Sequence, residues 1–280
     1  MKDSTGKISV IIPTYNRPAA LCEALESLAR QTYRNFEAIV VNDAGQSVDF
    51  VRELYGDLTI TVLNQERNRK HVHARNRGIT HASGEYIMFL DDDDMILPDH
   101  MERMAAELQA CDFVYSDAEI FDYRVEGRTR VPTARKIFAY RFDMELMVKF
   151  NTFISTGCLY RKSIHDEMGL LDTEMYAYWD WDWILRVADR YRVKRVAAAS
   201  ALYAFVMGDA APQAGANESQ QHSWMRPHLD KLCAKHGLGE LPTANFFVLL
   251  EEPYVQSRQA ETRVLWDGQP IVSRYAQNDA

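Results

Sequence analysis

The amino-acid sequence predicts an α/β fold in which a mostly parallel central sheet is flanked by helices, and three observations carry that prediction. Apolar, β-branched runs alternate with amphipathic helical patterns over the first hundred residues. The first run is nearly continuous, as in a strand that is covered on both faces. Several runs lead directly into polar residues, and sheets of this kind bind ligands beyond the carboxyl ends of their strands.

The first half of the chain alternates predicted strands and helices. Strands are expected at 8–12, 36–41, 58–63 and 86–90, and helices are expected to begin near 18, 51, 73 and 98. Pro18 suits the first turn of a helix because its missing N–H has no partner to lose there. Leu21, Leu25 and Leu28 repeat at helical spacing and give this helix one apolar face. The β-α-β-α order predicts a mostly parallel sheet between layers of helices.

The second half of the chain is less regular. It contains a short predicted strand at 113–115, a polar loop at 121–135, a strand at 153–160 and a helix at 180–191. Residues 210–223 have few large apolar side chains and are expected to form a loop, followed by a helix that begins near 225. A hairpin is expected around Asp267 and Gly268.

Composition and charge exclude several classes of protein. The 280 residues are 47% hydrophobic and carry a formal net charge of −8, which argues against binding nucleic acid through phosphate contacts. The four cysteines are far apart, so a disulfide framework or a zinc ribbon is not expected. The first ten residues lack the apolar core of a signal peptide, and the longest mostly apolar run, 196–207, is too short to span a bilayer. A cytoplasmic protein is expected.

Polar residues follow three of the predicted strands. Pro13, Thr14 and Tyr15 follow the first strand, Asp43 follows the second, and a run of four aspartates at 91–94 follows the fourth. Because parallel strands share one edge for their carboxyl ends, these positions should converge on one binding site. Asp43 on its own is also a common turn former.

The four aspartates are the strongest local indication of chemistry. Adjacent carboxylates repel one another unless a positive charge lies among them, and Mg²⁺ or Mn²⁺ is the natural oxygen-bound partner. In an extended backbone Asp91 and Asp93 share one face, whereas Asp92 and Asp94 share the other. The alternative is a solvated acidic turn before the helix at Pro98. An EF-hand loop is excluded because Ile96 stands where that loop needs glycine.

Two further groups of residues leave alternatives open. Arg75 belongs to a basic cluster that either holds a phosphate or base or forms a solvated helix face. The segment 178–183, Tyr-Trp-Asp-Trp-Asp-Trp, is either a sugar-stacking platform with a general base, or a helix cap at Asp180 with indoles in the core. His222 either adds a metal or phosphate contact or is a solvated loop residue.

Taken together, these segments resemble the family 2 glycosyltransferases of the GT-A fold. The similarity covers ISVIIPTYN at 8–16, QTY at 31–33, ARNRG at 74–78, ASGEYI at 82–87 and FLDDDD at 89–94, in the order and spacing of the family. GLLD at 169–172, WDWD at 179–182 and Arg186 resemble the later family motif, which is normally Glu-Asp-x-Asp. The chain departs from that motif at Trp179, where the family usually has Glu.

The resemblance implies roles for particular residues. Asp180 matches the catalytic base, Asp91-x-Asp93 matches the metal-binding DxD motif, and Asp92 would approach the ribose. His222 is a further candidate metal contact. Trp179, Trp181 and Asp182 are candidates for binding the acceptor. The residues expected to bind the nucleotide, with Asp43 on its base, are Pro13, Thr14, Tyr15, Asn16, Arg17, Asp43, Arg75 and Asp92.

The resemblance also implies the activity and the organisation of the chain. It implies an inverting transfer of a sugar from a nucleotide-diphosphate donor, most often a UDP-sugar, assisted by Mn²⁺ or Mg²⁺. The acceptor is expected to be a glycan, lipid-linked or protein-linked, of a bacterial surface polysaccharide, with a peripheral contact to the inner face of the membrane. The GT-A domain should cover 1–215, with a nucleotide-sugar half at 1–110 and an acceptor half at 111–215, before a helical extension at 216–280.

Two rival functions remain at this point. A catalytically inactive nucleotide- or sugar-binding module would share the fold, but both the DxD motif and Asp180 are present. A metal-dependent nucleotidyltransferase would need a glycine-rich basic loop after the first strand, and Pro13-Thr-Tyr-Asn-Arg-Pro18 is not such a loop.

Overall fold

A computed structural model describes residues 6–205, 222–242 and 246–277, with no description of the side chains of 222–224. The described strands are β1 (Ile8–Thr14), β2 (Phe36–Asn42), β3 (Ile60–Asn64), β4 (Tyr86–Phe89), β5 (Met95–Ile96), β6 (Phe113–Glu126), β7 (Thr129–Phe138), β8 (Leu159–Arg161), β9 (Val193–Ala204) and β10 (Arg263–Val264). The described helices are α1 (Pro18–Ala29), α2 (Val51–Leu54), α3 (Lys70–His81), α4 (His100–Leu108), α5 (Met144–Met147), α6 (Ile164–Met168), α7 (Trp179–Ala188), α8 (His222–His236), α9 (Phe246–Leu250), α10 (Pro253–Gln256) and α11 (Arg274–Gln277).

The first half of the chain forms the predicted parallel sheet. β1 lies between β2 and β4, β3 pairs with β2, and all three pairings are parallel. Every residue of β1 and β2 is buried, because helices cover both faces of these strands. The leucines of α1 pack with Ile8, Val10 and Ile12 on one face, whereas α3 packs with Ile11 on the other. The fold-class prediction is therefore confirmed.

The second half extends the same sheet and makes it mixed. The strand order is β10-β9-β6-β8-β4-β1-β2-β3, with β7 paired to β6 and β5 paired to β9. β6 pairs with β9, and β9 with β10, in parallel. β8 is antiparallel to both β4 and β6, and it connects the strands of the two halves. The antiparallel strands make the sheet less uniformly parallel than the sequence predicts.

Three predicted elements of the second half are wrong. Residues 121–135 are not a loop but most of the β6–β7 hairpin, which turns at Gly127 with a φ of 61°. The strand predicted at 153–160 is limited to β8, because Gly157 has a φ of 75° and a turn joins Cys158 to Ser155. The hairpin predicted at Asp267 and Gly268 is a turn after β10, closed by a hydrogen bond from Trp266 Nε1 to the carbonyl of Gln269 at 3.0 Å.

The C-terminal residues pack back against the sheet. β10 joins its edge, and the ring of Tyr275 of α11 packs at a tilt against Phe50 with ring centroids 5.3 Å apart. Of the loop predicted at 210–223, residues 210–221 lie outside the described residues, whereas 222 and 223 begin α8. None of the helices in the described ranges has the length and apolar character needed to cross a membrane.

Candidate active site

A cavity of about 680 Å³ lies where the carboxyl ends of β1, β2 and β4 meet. This is the edge at which the sequence predicts convergence, and parallel strands bring their ends together there. The structure places almost all of the predicted site residues in its wall. The lining includes Pro13, Thr14, Tyr15, Asn16, Arg17, Asp43, Arg75, Asp91, Asp92, Asp93, Trp179, Asp180 and Trp181.

The aspartate run supplies a group of carboxylates that suits a divalent cation. Oxygens of Asp91, Asp93 and Asp94 lie within 4.8 Å of one another, and hard cations such as Mg²⁺ and Mn²⁺ prefer oxygen ligands. Asp94 was not among the predicted ligands. It is completely buried and accepts hydrogen bonds from the hydroxyl of Thr156 and the backbone N–H of Ala204. Those contacts join the aspartate loop to the end of β9.

Arg17 and Thr14 hold the neighbouring carboxylates. Arg17 Nη1 lies 2.7 Å from Asp93 Oδ2 and 3.2 Å from Asp92 Oδ1. The Thr14 hydroxyl donates to Asp92 Oδ2 at 2.7 Å. Burial raises the pKa of Asp92 to about 7, although Arg17 opposes that shift. The guanidinium therefore occupies the place at which the carboxylates would receive another cation.

Asp43 holds the beginning of α3. Its carboxylate accepts hydrogen bonds from the backbone N–H groups of Arg69 at 2.8 Å and Lys70 at 2.7 Å. A third bond comes from Gln65 Nε2 at 2.5 Å. Asp43 is buried and lines the cavity, so it combines the turn-forming role that its residue type suggests with a position in the site.

Arg75 lies between the two groups of carboxylates. Its side chain is only 2% exposed, its Nη2 donates to Asp91 Oδ1, and its guanidinium lies 4.0 Å from the centre of the Trp179 ring system. Its Nη1 lies 2.6 Å from His71 Nδ1, which requires that nitrogen to be unprotonated. Burial and the charge of Arg75 hold the pKa of His71 well below its usual range. His71 was not among the predicted site residues, since a single histidine has no recognisable spacing to other site residues.

Asp180 is the second residue of α7, where the helix dipole favours a carboxylate. Its Oδ2 accepts a hydrogen bond from Asn151 Nδ2 at 3.1 Å. Burial raises the pKa of Asp180 to about 6, although a backbone hydrogen bond and the charge of Arg75 oppose the shift. A carboxylate with this pKa is ionised at neutral pH and is more basic than an exposed aspartate. Asn151 was also missed, because it lies 29 residues away in the chain.

Of the three residues predicted to bind the acceptor, two line the cavity and one does not. Trp179 and Trp181 line the cavity but are mostly buried, and Trp181 Nε1 donates to the carbonyl of Met147 at 2.7 Å. Asp182 is not in the cavity wall. It is completely buried and contacts Arg186 at 3.0 Å, Lys235 at 2.7 Å and His236 at 2.8 Å. The side chain of His222 lies outside the described residues.

The end of the cavity beyond Asp180 is apolar. Its wall comes from β7, α9, the residue that follows β9 and the segment that precedes β8, with further residues from α8 and the chain that follows it. We call this region the apolar end; it consists of Phe138, Phe150, Ile154, Phe205, Met225, Leu229, Leu241, Pro242, Phe246 and Leu249. It was not predicted from the sequence, because its residues come from six separate segments.

Comparisons with known proteins agree with this architecture. The profile of the domain described as "Glycosyl transferase family 2" matches residues 9–169. The chain is 51% identical to the "Uncharacterized glycosyltransferase YwdF" of Bacillus subtilis (strain 168) over 269 residues, which cover 96% of this chain and 98% of that one. It is 27% identical to the "Amylovoran biosynthesis glycosyltransferase AmsB" of Erwinia amylovora, covering 82% of this chain and 81% of AmsB.

Solved structures share the fold. S. aureus TarS 1–349 in complex with UDP-GlcNAc superimposes with a TM-score of 0.59 at 20% identity, covering 81% of this chain and 66% of TarS 1–349. The mannosyltransferase PcManGT of Pyrobaculum calidifontis, in complex with GDP-Man and Mn²⁺, gives a TM-score of 0.57 at 22% identity, covering 85% and 66%. The chain thus spans about two thirds of these neighbours. Its matched domain, its relatives and its fold together establish that the chain belongs to the family 2 glycosyltransferases.

Proposed function

We propose that this transferase moves a sugar from a nucleotide-diphosphate sugar to a hydroxyl of a glycan acceptor, with metal assistance and inversion at the anomeric carbon. The observation that carries the proposal is the presence of two separate acidic groups in one cavity. Asp91, Asp92 and Asp93 lie at the end of β4, and Asp180 lies at the beginning of α7. The first group suits a cation on a diphosphate, and the second suits a general base.

The donor would lie along the ends of β1, β2 and β4. Pro13, Thr14 and Tyr15 provide the wall beside the nucleotide, and Asp43 lies next to the position proposed for the base. Arg17 and Arg75 supply positive charge close to the proposed diphosphate. A UDP-sugar is the favoured donor. The structural neighbours include one in complex with UDP-GlcNAc and one with GDP-Man, so both nucleotides belong in the test.

Asp91 and Asp93, with Asp94 beside them, would hold Mn²⁺ or Mg²⁺. When bound, such an ion stabilises the negative charge that develops on the departing nucleoside diphosphate. Arg17 must leave Asp93 to open that position, and its side chain, 30% exposed, can turn towards the diphosphate. Arg75 stays fixed because it is buried between Asp91, His71 and Trp179.

The transfer step belongs to Asp180. Its carboxylate takes the proton from the acceptor hydroxyl while that oxygen attacks the anomeric carbon of the sugar. The bond from that carbon to the β-phosphate oxygen breaks as the new glycosidic bond forms, and the single in-line displacement inverts the anomeric centre. Asn151 orients the carboxylate, and holding both substrates in one cavity supplies much of the rate enhancement.

A calorimetric titration tests the donor site. UDP, GDP, dTDP and CDP are each titrated with Mn²⁺ and with EDTA; we expect UDP to bind in the presence of Mn²⁺ and to bind much more weakly in EDTA. Asp93→Ala should abolish the metal dependence, whereas Asp99→Ala should not, because Asp99 lies outside the cavity and pairs with Arg103 on the surface. If no nucleotide binds the wild-type protein, the proposal is wrong and an inactive module of the same fold takes its place.

A further inference from the structure

A buried ion pair that the proposed reaction does not use joins helix α1 to strand β7. The side chains of Glu23 and Arg130 are only 2% and 7% exposed, and neither residue lines the cavity. Arg130 Nε lies 2.5 Å from Glu23 Oε2, and the backbone N–H of Arg130 donates to Glu23 Oε1 at 2.9 Å. Desolvation of two charges largely offsets their attraction, so such a pair adds little net stability. The pair is better explained by the further contact that it holds in place.

That contact is with the backbone of the four aspartates, residues 91–94, which we call the aspartate loop. Arg130 Nη1 donates to the carbonyl oxygen of Asp93 at 2.6 Å. On the other side of the same peptide group, the N–H of Asp94 donates to the carbonyl of Asp91 at 3.1 Å. Because a peptide group is planar, these two bonds fix the orientation of the unit that joins Asp93 to Asp94. They thereby fix the directions in which the two side chains leave the backbone.

The grouping of the carboxylates depends on this fixed backbone. Oxygens of Asp91, Asp93 and Asp94 lie within 4.8 Å of one another. Negative charges this close repel one another, so the metal-free loop would open if its backbone were not held. A held backbone keeps the ligand atoms together before the ion arrives, and this preorganisation lowers the cost of binding the ion.

Two arginines contact the aspartate loop, and they differ in exposure. Arg17 contacts the carboxylate of Asp93 from the cavity wall, and its side chain is 30% exposed. A metal ion has to displace this contact. Arg130 contacts the backbone carbonyl of the same aspartate from outside the cavity wall and is buried against Glu23. The contact of Arg130 can therefore remain when that of Arg17 is broken.

The β6–β7 hairpin that carries Arg130 is itself anchored. The guanidinium carbon of Arg130 lies 5.2 Å from the centre of the Tyr123 ring on β6. At the turn of the hairpin, the guanidinium carbon of Arg128 lies 4.2 Å from the centre of the Tyr275 ring on α11. Since α11 packs against α1, the hairpin is connected to α1 both through Arg130 and through α11.

We propose that Arg130 is a positioning residue for metal binding. Through the carbonyl of Asp93 it holds the carboxylates of the aspartate loop in the arrangement that receives a divalent cation, and Glu23 holds Arg130. The proposal rests on the proposed function, because it concerns the metal site of that function. It gives a hairpin from the second half of the chain a part in binding the donor.

Arg130→Lys separates the two contacts of Arg130. Lysine keeps the positive charge, but its single ammonium group cannot occupy the positions of both Nε beside Glu23 and Nη1 beside Asp93. In the presence of UDP we expect Mn²⁺ to bind about 10- to 100-fold more weakly, because the group that orients its ligands is lost. The electron paramagnetic resonance signal of free Mn²⁺ measures this affinity.

Arg195 provides a matched control. Its Nη2 lies 2.6 Å from Asp117 Oδ2 and donates to the carbonyl of Glu261 at 2.9 Å. The side chains of Arg195 and Asp117 are 14% and 2% exposed and lie outside the cavity wall. Arg195 thus makes the same kinds of contact as Arg130, but not with the aspartate loop. Arg195→Lys should lower Tm about as much as Arg130→Lys does and leave the affinity for Mn²⁺ unchanged.

Hydrogen exchange provides a second measurement, which is made without metal. In Arg130→Lys the backbone amides of residues 92–95 should exchange at least about threefold faster, because the loop loses one of the bonds that hold it closed. In Arg195→Lys these amides should exchange as they do in the wild type. Mass spectrometry of the peptide that contains the aspartate loop follows both variants.

A double variant, Glu23→Gln with Arg130→Gln, covers the case in which Arg130→Lys does not fold. It leaves neither of these buried charges without its partner. Glutamine is shorter than arginine and does not reach the carbonyl of Asp93, so we expect the same loss of affinity for Mn²⁺ and the same faster exchange.

Two results would overturn the proposal. One is wild-type Mn²⁺ affinity and wild-type loop exchange in the variants of Arg130, which would make the ion pair a purely structural contact. The other is an equal loss of affinity in Arg195→Lys, which would attribute the effect to general destabilisation. Failure of the wild-type protein to bind Mn²⁺ would instead contradict the proposed function, and hydrogen exchange of the metal-free protein would still decide whether Arg130 holds the loop.

Discussion

Burial makes Asp180 more basic, as its proposed role of general base requires. An aspartate in water is a weak base, whereas the buried carboxylate of Asp180 has a pKa of about 6. The hydrogen bond from Asn151 and the beginning of α7 still favour its ionised form. The side chain is therefore basic enough to accept a proton and remains ionised near neutral pH.

Turnover should depend on the ionisation of Asp180. The active form is the carboxylate, so the rate should fall about tenfold per pH unit as the pH drops below about 6. Asp180→Asn should reduce kcat by about 10²- to 10⁴-fold and leave the affinity for UDP with Mn²⁺ unchanged. Steady-state rates from pH 4.5 to 8 and a parallel calorimetric titration measure both effects. Wild-type turnover in Asp180→Asn would assign the base to another residue.

Arg17 should compete with the metal ion. Its guanidinium contacts the carboxylates of Asp92 and Asp93, so a metal ion must displace the guanidinium before it can bind these carboxylates. In Arg17→Gln we expect nucleotide-free Mn²⁺ to bind several-fold more tightly and UDP to bind more weakly, as measured by the electron paramagnetic resonance of Mn²⁺ and by calorimetry. Arg52→Gln, on an exposed pair with Asp49, serves as the control. An unchanged or weaker Mn²⁺ affinity in Arg17→Gln would contradict the competition.

At the scale of elements, α7 is fixed by its contact with α8. Asp182 lies one half-turn beyond Asp180, and its carboxylate contacts Lys235 and His236 of α8. Burial alone would raise the pKa of Asp182, but hydrogen bonds from His236 and Lys235 lower it. The group is therefore ionised throughout the neutral range and ties the helix that carries Asp180 to a second helix.

Removal of this carboxylate should destabilise the protein. Asp182→Ala leaves Arg186 and Lys235 without their shared buried partner, and we expect a loss of about 2–4 kcal/mol in the free energy of unfolding because both cations still reach solvent. Asp230→Ala, which breaks an exposed pair with Arg226 on α8, should change it by less than about 1 kcal/mol. Urea unfolding compares the two variants. Equal losses in both would show that the contact does not anchor α7.

The elements differ in how well the sequence predicts them, and the reason is the range of the interactions that form them. β1 and β2 can be predicted from the sequence because burial on both faces requires an apolar run. The β6–β7 hairpin cannot be predicted in this way, because its polar outer residues are held by contacts with residues far away in the chain. Arg130 of β7, for example, pairs with Glu23 of α1 at 2.5 Å and donates to the carbonyl of Asp93 at 2.6 Å.

The same distinction applies to the candidate site. Asp43, Asp91 and Asp180 stand at the ends of predictable elements, so the topology alone brings them to one edge. His71, Asn151 and the apolar end depend on contacts between segments that no local pattern connects. The charged end of the cavity can therefore be predicted from the sequence, whereas the surface that would contact an acceptor cannot.

At the scale of the whole molecule, a ligand that binds in the cavity should raise the free energy of unfolding and the Tm of the protein. A ligand that binds only the folded state at about 100 times its Kd adds about 2.7 kcal/mol. For a chain of this size we expect UDP with Mn²⁺ to raise Tm by about 5–10 °C, and excess EDTA to reverse the shift. Differential scanning fluorimetry measures it. Asp93→Ala should show almost no shift, whereas Asp99→Ala should behave as the wild type does.

The three residues of β8 limit how the acceptor specificity of this protein can change during evolution. They pair with β4 on one side and β6 on the other, so they join the strands proposed to position the donor to those proposed to position the acceptor. A crossover between two related genes at the middle of the chain would have to preserve both hydrogen-bonding registers at once. New acceptors should therefore arise in this lineage by point substitution along the cavity wall, and not by exchange of half-proteins.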